Sequence, residues 1–191
     1  MEQADLYQDI PKEFHSFETS GLFEHCIECE SYLLDDKEYV IEKAIRKYKD
    51  YSAMDTVFDY AICVDCAMKM REEFSKESIK RVDAFFQKAF DKIQIPQKQE
   101  GDLVMEKCLS ACLVNNNAIE ELEEYQIYAY CKGDKLLKGV PPYMVGGPAI
   151  DEVLHLLSNP TLDFLNGFYN KHFSPDPSLM EPTPSPKLVF V

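Results

Sequence analysis

At 191 residues the chain is long enough for one substantial domain or two small ones. Its 46% hydrophobic and 12% aromatic content is that of a globular protein rather than a disordered one. Thirty-four acidic against twenty basic residues leave a formal charge of −14, which repels nucleic-acid phosphates and anionic lipid headgroups, so nucleic-acid binding is disfavoured.

No basic-then-apolar leader opens the chain, where Glu2, Asp5, Asp9 and Glu13 are interleaved with apolar residues, and no apolar run approaches membrane-spanning length. The expectation is a cytoplasmic protein with no membrane contact. Seven cysteines in such a reducing compartment point to metal ligands or redox centres rather than structural disulfides.

Residues 1–21 read as a polar leader in which Pro11 breaks any helix and Thr19-Ser20-Gly21 marks a turn, with Phe14 and Phe17 tacking it to the core. The Cys26-Ile-Glu-Cys29 pair follows. Two residues between thiolates let the chain curl so that both sulfurs face one ion at about 2.3 Å. His25 stands directly before Cys26, and adjacent residues rarely aim at one metal, so it is placed beside the site rather than on it.

Asp35-Asp36 offers a turn, Glu38 to Ile45 alternates as a strand, Tyr48 to Thr56 reads as a loop, and Val57 to Ile62 returns as a strand that delivers Cys63. Cys63 and Cys66 then sit where strand becomes helix. Apolar residues at Ala67, Met70, Phe74, Val82, Phe85, Phe86, Ala89 and Ile93 predict a helix from about Cys63 to Ile95, interrupted near Ser75 to Ser78 and ended by Pro96. A helix N-terminus favours thiolates there. Cys26, Cys29, Cys63 and Cys66 are therefore the expected ligands of one structural Zn²⁺.

This order of knuckle, hairpin and ligand-bearing helix resembles the treble-clef zinc finger over residues 26–74, about a quarter of the chain, although the 33 residues between Cys29 and Cys63 make a longer linker than compact fingers have. The resemblance implies a metal-stabilised fold but no single activity, because this architecture serves nucleases, nucleic-acid binders and plain structural knots. Its nuclease versions need histidine in the hairpin, and Tyr32 to Tyr60 contains none.

Gln97 to Asp102 is a polar connector that divides the chain into a unit at 22–96 and another at 97–173. In the second, Cys108 and Cys112 form another pair, Tyr125 to Tyr130 reads as a strand delivering Cys131, and Asp134 occupies the position matching Cys66. A degenerate second zinc site of Cys108, Cys112, Cys131 and Asp134 follows as one expectation. Three buried thiols, with Cys108 and Cys112 on one face of a helix from Leu103 to Val114, are the alternative.

Tyr143-Met-Val-Gly-Gly-Pro148 lacks the Lys and Ser/Thr of a phosphate loop and reads as a tight turn into a helix bearing Ile150, Val153, Leu154 and Leu157. Asn159 as cap and Pro160 start a second helix with a Leu162, Leu165, Phe168, Tyr169 stripe, giving a C-terminal helical pair. Residues 174–191 form a Pro-rich extended tail ending in Leu188-Val-Phe-Val191, read either as a strand added to a partner or as a contact with its own domain or a sister subunit of a homo-oligomer.

The expected whole is an α+β protein. Its expected function is non-enzymatic, a structural zinc site supporting interaction with a protein partner of basic character. Thiol redox or zinc-linked redox sensing by the paired cysteines is the alternative, and a hydrolase or transferase built on scattered acids with His155 or His172 is a third reading without a recognisable motif.

Overall fold

A computed structural model describes residues 6–48, 53–91 and 102–174. The fold is mixed α and β, built on an antiparallel sheet. Its strands are β1 (Tyr7–Asp9), β2 (Glu38–Lys47), β3 (Met54–Cys63), β4 (Glu124–Lys132), β5 (Lys135–Leu137) and β6 (Tyr143–Gly146). Five α-helices occur among the described residues: α1 (Val64–Glu72), α2 (Lys76–Phe90), α3 (Met105–Cys108), α4 (Gly147–Leu154) and α5 (Asn159–Phe173). The strand order is β1-β5-β4-β2-β3, and β6 shares the outer edge of β4 with β5.

β2 is the central strand, flanked by β3 and β4. Tyr39 through Ala44 are all buried, because both faces of that stretch are covered. Pairing of β2 with β4 runs in unbroken register from Glu38↔Lys132 to Arg46↔Glu124. Strands from either side of the expected connector are therefore hydrogen-bonded neighbours, and the second cysteine unit shares its sheet with the first. The connector itself, apart from Asp102, lies outside the described residues, as do Pro96 and the tail from residue 175.

Other expectations change, while the expected break in the long helix is present. The leader supplies an edge strand, β1, which pairs with β5 through Tyr7↔Leu137. Phe14 is fully buried behind a 3₁₀ turn (Lys12–Phe14), but Phe17 is 69% exposed and holds to β3 through its backbone N–H, which donates to Asp59 Oδ2 at 2.6 Å, rather than through its ring. The long helix breaks between Glu72 and Lys76, where Ser75 caps α2 by accepting from the Ser78 N–H at 3.1 Å. Tyr143 to Gly146, expected as a turn, is a strand that feeds straight into α4, since its alternative edge on β4 was open to pairing.

The helical pair is distributed over the sheet. α4 lies against β4 and β6. α5 sets Phe168 against Tyr60 at 5.8 Å and Phe173 against Phe58 at 5.1 Å, so its aromatics seal β3. The N-termini of α2 and α5 meet through mutually bonded hydroxyls of Ser75, Ser78, Ser158 and Thr161, of which Ser78 and Thr161 are fully buried. Ser158, not Asn159, is the residue preceding α5.

One row of polar side chains crosses the core. Glu42 stands opposite Tyr60 on β3 and Tyr128 on β4, and Tyr128 stands opposite Tyr143 on β6. Glu42 is fully buried and accepts the Tyr60 hydroxyl at 2.6 Å. Burial pushes Tyr60, Tyr128 and Tyr143 well above the ordinary phenol range, so they donate as neutral hydroxyls.

Candidate metal centre

Residues around Cys26 fold into a tight loop because backbone bonds close it on itself. The Cys26 N–H donates to the Ser31 carbonyl at 3.0 Å, the Glu30 N–H to the Cys26 carbonyl at 2.9 Å, and the Leu33 N–H to the Glu24 carbonyl at 2.8 Å. Glu30 takes a left-handed φ of 56°, which turns the chain immediately after Cys29. The loop is pinned to the outer edge of β3 by the Ile27 N–H donating to the Ala61 carbonyl at 2.9 Å. That bond aims both knuckle thiols at the end of β3.

There Cys63 closes the strand and precedes α1, and Cys66 lies in the first helical turn. The ligand atoms of Cys26, Cys29, Cys63 and Cys66 all lie within 4.8 Å of one another. Cys29 Sγ and Cys63 Sγ are 3.9 Å apart. Sulfurs at the corners of a tetrahedron with arms of about 2.3 Å would be separated by about 3.8 Å, so the spacing fits a four-thiolate metal site and is far too long for a disulfide. The Cys63 N–H donates to Cys26 Sγ at 3.4 Å.

The thiols are not equivalent. Cys26 and Cys63 are buried, Cys66 nearly so, and Cys29 is exposed. The hydroxyl and backbone N–H of Ser31 lower Cys29 to about 6. Burial pushes Cys63 and Cys66 upward, the neighbouring thiols adding to the effect on Cys66. Crowding four thiolates in one place is unfavourable unless a cation offsets their charge, and the positive end of α1 supplies only part of that.

His25 stays outside the group, exposed and ring-to-ring with Tyr32 at 5.6 Å. Two neighbours that the sequence did not single out as a unit secure the knuckle from the other side. Glu28, between the two knuckle ligands, accepts from Lys171 Nζ and His172 Nε2, each at 2.8 Å. Burial pushes the Glu28 carboxyl up, but these bonds and charges outweigh it and hold it below its ordinary value. His172 is thus tied into a structural clasp between the knuckle and α5, beside a cavity of about 470 Å³ that Cys66, Met70, Phe164 and Phe168 also line. The only signal for Glu28 was its place inside the Cys-x-x-Cys motif. His155 is exposed just past the end of α4 and forms no ion pair among the described residues.

The second set of candidates is not brought together. Among the described residues, the four-cysteine group is the one cluster of three or more metal-ligating side chains at such spacing. Cys131 is fully buried in β4, opposite Tyr39 and Leu136, and burial pushes it up to about 12. Cys112 accepts from the Gly146 N–H at 3.3 Å. Cys108 ends α3, four residues long rather than the expected twelve, and is pushed by burial up to about 11. Asp134 sits in the β4–β5 turn beside Lys135, 3.5 Å away. Register decides this: pairing β4 to β2 turns Cys131 into the core, while Asp134 is carried past the strand end to the surface.

No helix among the described residues is long and apolar enough to cross a membrane. Compared with protein-family models, curated proteins and solved structures, the chain matches none.

Proposed function

We propose that the chain is a zinc-stabilised, non-enzymatic protein that works by binding another protein. The observation that carries this reading is the convergence of four cysteine sulfurs within 4.8 Å. Thiolate is a soft ligand that suits Zn²⁺, and four of them saturate its tetrahedron, leaving no position for water or substrate. The metal would supply folding energy rather than Lewis-acid chemistry. The order of knuckle, β2–β3 hairpin and α1 supports the treble-clef reading, here with its hairpin built into a larger sheet.

Elemental analysis of protein prepared without chelator tests the metal. One equivalent of zinc per chain is expected, lost in Cys63→Ser and retained in Cys131→Ser. Zinc-free protein with all four thiols freely titratable would overturn it.

One observation favours thiol redox as a second reading: Cys29 is exposed and 3.9 Å from the Cys63 sulfur. Purified protein that carries no metal and yields a Cys29–Cys63 disulfide on mild oxidation would place redox first.

A further inference from the structure

The two faces of the sheet are unequally covered. α1, α2 and α5 lie over the face that carries Tyr60 and Tyr143, with Phe168 and Phe90 in ring contact with them. On the opposite face a groove of about 550 Å³ opens between the Lys12–Phe14 turn and the chain from Met105 to Glu120. Its floor is Ile45 of β2 with Tyr125 and Ile127 of β4. Lys43 at its base is already engaged, donating to the His15 carbonyl at 2.6 Å and standing 3.4 Å from the Asp59 carboxylate.

The rim carries Glu13, Asp55, Glu106 and Glu120, all exposed. Among the described residues none of these four takes part in an ion pair, whereas Asp9, Glu28, Asp83 and Glu124 elsewhere on the surface each hold a Lys or Arg. Lys12 is the rim's exposed cation. An apolar floor ringed by four exposed carboxylates against one exposed lysine, on a chain of charge −14, is complementary to a cationic and apolar ligand.

The groove also reaches the sheet's edge strand, where Met54 and Thr56 of β3 line it and Met54 is 64% exposed. Among the described residues no strand pairs with the outer side of β3. A segment added there in extended form would direct every second side chain toward the groove's face.

We propose that this groove docks an extended, basic segment of a partner protein in which Leu- or Ile-like side chains alternate with Lys or Arg. The proposal rests on the protein-binding reading above and adds the partner's chemistry and its place on the fold. The chain's own residues 175–191 suit the groove poorly by charge, since they carry Asp176 and Glu181 against Lys187 alone.

The test is fluorescence anisotropy of a rhodamine-labelled, end-capped octapeptide of alternating Lys and Leu, titrated with the metal-loaded full chain at low salt. Saturable binding is expected. The combined variant E13Q/D55N/E106Q/E120Q should weaken it at least about tenfold, while E72Q/D151N/E152Q/D163N, which removes the same charge from other exposed positions, should change it less than about twofold. A Lys/Ser peptide of equal length should bind at least about tenfold more weakly, having no apolar half.

Equal weakening by both variants, or equal binding of the Lys/Ser peptide, would reduce the effect to net charge and overturn the proposal. Absence of saturable binding overturns it too, the groove then being closed by the chain itself or unused. Self-association seen by sedimentation and relieved by the rim variant would assign the groove to a second copy instead. Zinc is measured on the same sample, so a chain holding one equivalent and failing to bind refutes the groove without touching the metal assignment.

Discussion

Removing the metal should open the knuckle locally rather than unfold the sheet. With zinc bound, opening the loop from Cys26 to Leu33 requires breaking a four-thiolate site, whose formation in zinc-finger peptides is worth about 10–16 kcal/mol, so local opening is as costly as global unfolding, about 5–15 kcal/mol. Without zinc, the loop is held by four backbone bonds, Cys26 to Ser31, Glu30 to Cys26, Leu33 to Glu24 and Ile27 to Ala61, at about 1 kcal/mol each, by the buried Leu33 at about 2 kcal/mol, and by the partly exposed Glu28 clasp at about 1 kcal/mol. Local opening then costs about 7 kcal/mol, several kcal/mol less than before. Amide exchange by mass spectrometry, before and after chelation, reads the difference. Amides from Cys26 to Leu33 should exchange at least about a thousandfold faster, since each decade corresponds to about 1.4 kcal/mol. Those of β2 between Ile41 and Ala44 and of β4 between Gln126 and Ala129 should retain most of their protection, because these two stretches are hydrogen-bonded to each other in the middle of the sheet rather than to the knuckle loop. Unchanged exchange in the knuckle would refute the metal's structural role. Equal loss in β2 and β4 would refute its local character.

Ser78→Ala leaves the Ser158 N–H, which the Ser78 hydroxyl accepts at 2.9 Å, without its acceptor in a part-buried site, and removes the Ser78 contacts with the Ser75, Ser158 and Thr161 hydroxyls. An orphaned part-buried donor plus these lost hydroxyl contacts cost about 2–3 kcal/mol, so the calorimetric Tm should fall by about 4–12 °C, and a fall under about 2 °C would contradict the hydroxyl cluster. Alkali should act through the tyrosine row. The folded-state values of Tyr60, Tyr128 and Tyr143 are raised, so above about pH 10 the unfolded chain releases protons that the folded one keeps, and stability falls by up to about 4 kcal/mol per pH unit for the three together. Tyrosinate absorbance from these three should therefore appear together with loss of near-ultraviolet circular dichroism; ionisation while the fold persists would contradict their burial. Cys108 at about 11 and Cys131 at about 12 leave at most about one thiolate per thousand molecules at pH 7.5, so iodoacetamide mapped by mass spectrometry should label neither within the time it labels denatured protein fully.

Local spacing made the four-cysteine group legible. Cys-x-x-Cys brings two thiols to one point within four residues, and Cys63 and Cys66 were placed at a helix start by the change of hydrophobic period, so both halves of the site were readable without knowing how they meet. The hairpin was visible too, but its strands run longer than predicted, Glu38–Lys47 and Met54–Cys63. Cross-strand pairing extends them past the point where alternation fades.

Pairing between distant segments was not legible. Tyr7–Asp9 and Tyr143–Gly146 are three and four residues long, too short for periodicity to identify, and become strands because β5 and β4 offer them edges. The parallel drawn between Cys63 and Cys131 was correct as far as both lie at strand ends. It failed as a ligand assignment because a strand's neighbours, not its sequence, decide which face a side chain meets. Glu28 illustrates the same limit at the centre itself, since its partners Lys171 and His172 come from the last described helix.

By itself, then, the sequence determined the composition class, the two cysteine pairs and the hairpin and helices that carry them, since each depends on residues close along the chain. The tertiary structure alone decided that one sheet joins both halves, that Cys108, Cys112 and Cys131 are kept apart, and that an acid-rimmed groove lies on the face opposite the long helices. These outcomes depend on which strand edges meet and in what register, and that choice is made by the whole chain at once.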